Sequence, residues 1–189
     1  MRIITTGIAA SLIAASSFAQ STPTPAPSQA PTSGAILVRL AQGAWANAKR
    51  DIIESADQMS EANYAFKPVD SVRTFGQIVA HVADSNYFYC ARAKAEPPPV
   101  PDGTLEKTAT TKAAIVKGLA ASVAYCDAVY ASLTEKSAPE LVQMGKNMNP
   151  RVQPLFANAS HNVEHYGNLA TYFRIKGLVP PSTKREGGS

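Results

Sequence analysis

Any metal or acid–base chemistry in this 189-residue chain turns first on its three histidines, His81, His161 and His165. His161 and His165 are four apart in His161-Asn162-Val163-Glu164-His165, so on a helix their rings lie one above the other on the same face. That spacing lets both imidazoles reach one metal ion. His81 falls beside Ile78, Val82 and Ser85 on the apolar stripe of another predicted helix, facing the interior from which a third ligand must come. A lone histidine on an apolar face is ordinarily a core residue, and an i,i+4 pair alone arises by chance. Together the three single out one site. Three imidazoles add no negative charge, so a divalent ion keeps its full charge and leaves positions open for water or substrate. Zinc, nickel and iron(II) all accept imidazole, and the sequence does not choose among them.

His161-x-x-Glu164-His165 also matches the inverted zincin pattern of metallopeptidases. That chemistry needs a further ligand well downstream, and after His165 the only carboxylate side chain is Glu186, in a glycine-rich tail. Glu164 lies about 100° round the helix from His165, which makes it a flanking or exposed carboxylate. Asp84 and Asn168 are better placed to approach the metal-side surface and to support the ligands, unless they are simply solvated.

These residues need long helices to hold them. Proline breaks helix interiors, and the prolines from Pro68 onward leave four long proline-free stretches, 34–67, 69–96, 102–138 and 155–179. Each carries helical periodicity: Leu37, Leu40, Ala44, Ala48, Ile52, Ala56 and Met59 in the first, and Val116, Leu119, Val123, Cys126, Tyr130 and Leu133 in the third. Thr74-Phe75-Gly76-Gln77 predicts a capping box at the start of the second. The last is expected to start near Pro154, which a first turn tolerates, and to end at Gly177 before Pro180-Pro181. No segment reads as a convincing strand. The expected architecture is an all-α four-helix bundle with long connections at 95–108 and 136–152.

Two segments carry a family resemblance. Thr74-Phe75-Gly76-Gln77-Ile78-Val79-Ala80-His81-Val82-Ala83-Asp84, followed by His161-x-x-Glu164-His165-Tyr166-Gly167-Asn168 and on to Pro180-Pro181, is similar to the DinB-like family, over about 34–182. The resemblance implies an up-down-down-up four-helix bundle with a divalent metal held at His81, His161 and His165. Relatives include bacterial thiol-dependent S-transferases and mycothiol-dependent maleylpyruvate isomerase, and dimerisation is frequent among them, so a homodimer is one expectation. Asn168 departs from the glutamine that many relatives carry there. The family's name does not imply DNA binding.

Two cysteines complete the reactive inventory. Cys90 lies on the opposite side of its helix from His81, about 13 Å along it, so it is poorly placed to share the metal. Cys126 lies on the apolar stripe of the third helix. In an oxidising compartment the two would pair and staple the second helix to the third; the alternative is two separate buried thiols. With no Cys-x-x-Cys motif, a redox-enzyme role has little support.

Composition bounds the rest. With 45% hydrophobic and 17% charged residues the chain has material for one globular core. Residues 1–19 read as a signal peptide: Arg2 is the basic region, Ile3 to Ala15 the apolar run, and Ser17-Phe18-Ala19 the small-residue cleavage site. The protein is therefore expected to be exported, periplasmic or secreted, with no stable membrane insertion. Loss of Arg2 lowers the formal charge from +4 by one, and no basic stripe with interleaved aromatics remains to support nucleic-acid binding. Residues 20–33 (QSTPTPAPSQAPTS) read as an extended linker, 34–182 as the bundle domain and 183–189 as a disordered tail. The functional expectation is a metal-dependent transferase of the thiol S-transferase type, or a hydrolase, acting on a small molecule. Export counts against the thiol version, because low-molecular-weight thiols are chiefly cytosolic. The alternative is a non-catalytic exported metal- or ligand-binding protein, which a closed four-ligand site would favour.

Overall fold

The computed structural model divides the chain into Met1–Ala30 and Pro31–Ser189, and residues 30–187 are described. The expected signal peptide and the linker up to residue 29 lie outside the described residues. Helix α1 (Ser33–Gln58) starts where the linker composition ends, with the Thr32 hydroxyl accepting the Ala35 N–H. Then come α2 (Phe75–Lys94), a short α3 (Thr104–Thr108), α4 (Lys112–Ser132), strands β1 (Leu141–Met144) and β2 (Asn147–Pro150), α5 (Val152–Ile175) and α6 (Pro181–Glu186).

The four long helices form a ring in which α1 and α2 sit diagonally, each packed against α4 and α5. Their directions follow from side-chain pairs. Lys112, at the start of α4, donates to the Met59 carbonyl just past the end of α1, so these helices are antiparallel. Asn86 reaches Ser122 and Cys90 is bonded to Cys126, so α2 and α4 run parallel. Phe75 meets Phe173 near one end of the α2–α5 pair and Cys90 meets Asn158 near the other, so these two are antiparallel. The bundle is thus up-down-down-up. Its core includes the fully buried Ile52, Met59, Phe75, Val79, Leu155, Leu169 and Phe173. Helix α4 buries Ile115, Leu119, Val123 and Cys126, while much of its outward face is alanine, at Ala113, Ala114, Ala120, Ala121 and Ala124.

Local signals set the start of α2. Thr74 Oγ1 accepts the Gln77 N–H at 3.1 Å and Gln77 Oε1 accepts the Thr74 N–H at 2.8 Å, closing the expected capping box. Gly76 then lies against Tyr64 and Ile115. A Cβ there would stand 3.0 Å from Ile115 Cδ1 and 3.2 Å from the Tyr64 carbonyl, which accepts the Gly76 N–H at 2.9 Å. This close approach fixes the helix that carries His81. At the far end of α5, Gly177 takes φ +71°, the left-handed conformation in which helices commonly terminate.

Three expectations need correcting. The 136–152 connection contains an antiparallel hairpin, with Met144 paired to Asn147 across Gly145-Lys146 and Gly145 at φ +63°. Its strands lack a β-branched alternating run, so periodicity gave no sign of them. The 95–108 connection contains α3. The tail expected to be disordered from 183 is helical to Glu186, because α6 docks on the bundle. Arg185 pairs with Asp51 and Glu54 of α1, and Tyr166 Oη donates to Ser182 Oγ at 2.7 Å. The two cysteines form a disulfide with 5.5 Å between their Cα atoms, and it staples α2 to α4.

Candidate metal centre

Helix α2 supplies His81, and α5 supplies His161 and His165 one turn apart. Because the two helices are antiparallel neighbours, the three rings converge. Their centroids lie 5.1 Å (His81–His161), 4.9 Å (His81–His165) and 4.4 Å (His161–His165) apart. One ring nitrogen from each lies within 4.8 Å of the others, an arrangement that could hold a metal ion. His165 is buried, and His81 and His161 are half-buried.

Whether the donors suit a cation follows from their protons. His165 Nε2 and His161 Nε2 face each other at 3.1 Å, close to the roughly 3.3 Å between two nitrogens of a tetrahedral zinc site. A single N–H···N bond would satisfy that pair but leave the third imidazole without a role. A divalent cation engages all three lone pairs at once, so the donor set fits. Burial is the main cause that lowers the pKa of each imidazole. His161 is pushed down to about 4, with the neighbouring His165 and His81 adding to burial. His81 and His165 move in the same direction, Arg73 reinforcing burial at His81 and His81 doing so at His165. In each, the shift favours the neutral form that metals require.

The supports differ from those expected. Asn168 does reach the cluster, its amide 3.3 Å from His165 Nδ1. Asp84 has no hydrogen bond to a histidine. Its carboxylate is buried and accepts the Leu105 and Glu106 N–H groups, each at 2.9 Å, docking the start of α3 on α2. Burial raises the Asp84 pKa, while the same two N–H bonds oppose that rise. The docked α3 delivers Glu106, which the sequence did not single out. Glu106 Oε2 lies 3.4 Å from His81 Nδ1, and Oε1 accepts from Arg73 Nε at 2.8 Å. A carboxylate facing Nδ1 is placed to orient an imidazole and to leave Nε2 for a metal. The sequence signal was poor, since a five-residue helix next to a proline-rich run has no measurable period.

His161 Nδ1 is buried without a hydrogen-bond partner, and the Tyr89 ring stands 5.7 Å from the His161 ring. Tyr87 is a core residue packed near Tyr125, whereas Tyr172 borders the site and donates to the Arg73 carbonyl at 2.8 Å. Glu164 is exposed, as its place on the helix required. Beside the cluster a cleft of about 710 Å³ opens between Arg73, Gln77, Glu106, His165, Asn168 and Tyr172. The disulfide lies deeper, where the Asn158 amide is within 3.8 Å of both sulfurs.

The family model of the DinB superfamily matches residues 44–169, a span that includes all three histidines. The chain belongs to the DinB superfamily. No curated protein matches it. Among solved structures, a DinB-like protein from Bacillus cereus superposes with a TM-score of 0.64 at 15% identity, covering 75% of this chain and 93% of that one. A DinB-like protein from Bacillus subtilis gives 0.59 at 18% identity, covering 74% and 93%. The mycothiol-dependent maleylpyruvate isomerase gives 0.60 at 14% identity, covering 70% of this chain and 60% of that one. At these identities the likeness is one of fold, and DinB-like architecture is what these structures share with this protein.

Proposed function

We propose that this DinB-superfamily protein is an exported metal-dependent enzyme, a transferase of the thiol-dependent type or a hydrolase, acting on a small molecule at His81, His161 and His165. The carrying observation is the convergence of three imidazoles, the whole histidine complement of the chain, beside an open cleft. When bound, a divalent ion supplies Lewis acidity that activates water or a thiol. The chain's own residues do the rest. Asn168 and Glu106 orient His165 and His81, and the cleft admits a substrate next to them. Among the described residues no fourth side chain joins the cluster of possible ligands, which favours an open catalytic site over a closed structural one. The fold shared with a thiol-dependent isomerase supports the transferase branch, and the apolar leader Ile3 to Ala15 supports export.

The test is to load the purified chain with zinc, nickel or iron(II) and screen hydrolase and thiol-transfer substrates, with His81→Ala as control. Turnover that needs the metal and disappears in the variant supports the proposal. Metal binding with no turnover in either screen would favour the non-catalytic alternative.

A further inference from the structure

His165 brings the histidine cluster to one side of the cleft, and the cleft's cationic wall is a separate feature. Arg73 immediately precedes Thr74, the N-cap of α2, and its carbonyl accepts the Tyr172 hydroxyl, so two elements hold its backbone. Its Nε donates to Glu106 Oε1 at 2.8 Å, while the other Glu106 oxygen faces His81. Glu106 is thus engaged at both ends and clamps the guanidinium in place. The two terminal nitrogens of Arg73 make no hydrogen bond within the described residues. The side chain keeps 45% of its surface exposed and lines the same cleft as His165 and Asn168.

We infer that the free edge of the Arg73 guanidinium is a carboxylate subsite, so that the substrate handled at the three-histidine centre is a small molecule bearing a carboxylate. This rests on the proposed function and names its substrate class. With Nε occupied, the paired terminal nitrogens present two parallel N–H groups, a fork that matches a planar carboxylate in bidentate fashion. Glu106 pairs with Arg73 itself and Lys67 is 3.0 Å from Asp70, so the carboxylates that line the cleft are matched by cations and the free guanidinium edge is left to meet an anion. Val72 and Ile78 give the same cleft apolar surface for the rest of the molecule.

The experiment titrates acetate, benzoate and inorganic phosphate into the full chain, metal-free and zinc-loaded. It uses calorimetry and the Arg73 Nε–H signal in proton–nitrogen correlation spectra, with Arg73→Gln and Arg73→Lys for comparison. The inference predicts saturable carboxylate binding that shifts the Arg73 signal, and affinity lower by roughly tenfold or more in Arg73→Gln. Arg73→Lys, with charge but no fork, should fall between. Equal carboxylate affinity in wild type and Arg73→Gln would overturn it, as would tighter binding of phosphate than of carboxylate. Zinc stoichiometry measured on the same samples separates the two ideas. Failure to load zinc, and nickel or iron(II) in its place, removes the metalloenzyme reading, while the metal-free titration still decides the role of Arg73.

Discussion

Glu106 Oε2 lies 3.4 Å from His81 Nδ1, and that contact exists because buried Asp84 holds the Glu106 N–H from the next turn of the helix that carries His81. A carboxylate on a ligand's second nitrogen typically changes metal affinity by about 10–100-fold. Glu106→Ala is therefore expected to weaken zinc binding within that range while leaving the fold intact. Competition against a chromophoric chelator reads the change directly, and unchanged affinity would mean that Glu106 serves Arg73 alone.

Asp84→Ala should act through stability first. The variant strands two N–H groups of α3 that now bond a charged acceptor, and hydrogen bonds to charged groups contribute about 1.5–3 kcal/mol each. Water can solvate the freed groups once α3 lifts away, so the expected loss is about 2–3 kcal/mol in urea unfolding, with metal affinity falling as well. A variant as stable as wild type would show that α3 docks without this carboxylate.

Much of this arrangement was legible in the residues and some was not. Proline spacing delimited the four helices because proline is incompatible with a helix interior, and the capping box marked the start of α2 to the residue. Helical periodicity placed His161 and His165 on one face, and pairing of Cys90 with Cys126 was one of the two readings open for the cysteines. The roles of Glu106 and Asp84 were not readable, since they depend on a long-range docking between α3 and α2 that no local pattern encodes. Nor was the docking of α6, which rests on Arg185 meeting Asp51 and Glu54 far away in sequence.

The disulfide gives a third prediction. Cys90 and Cys126 are separated by 36 residues, and closing a loop of that length restricts the unfolded chain by about 3–4 kcal/mol in the chain-entropy treatment. Replacing both cysteines by serine should lower unfolding stability by about that amount without displacing the histidines, since the disulfide lies deeper in the bundle. Denaturant unfolding checks the first part and zinc stoichiometry the second.

The lowered histidine pKa values set a pH dependence for the metal-free protein. An unfolded histidine titrates near 6.5, whereas His161 in the fold titrates at about 4. As pH falls between those values, the unfolded chain takes up a proton that the folded chain refuses, so stability declines across that window and levels off below it. His81 and His165 act in the same direction. Urea midpoints measured from pH 7 to pH 4 should fall, and His161→Gln should flatten the decline. An identical decline in the variant would contradict the assignment to His161.

The central claim is that His81, His161 and His165 hold one divalent ion together. Elemental analysis of the full chain after loading with zinc, nickel or iron(II) and removal of excess tests it most directly. The account predicts roughly one ion per chain for at least one of these metals, and near-complete loss in His81→Ala, which removes the single ligand contributed by α2. Substoichiometric metal in the wild type, or full retention in His81→Ala, would contradict it.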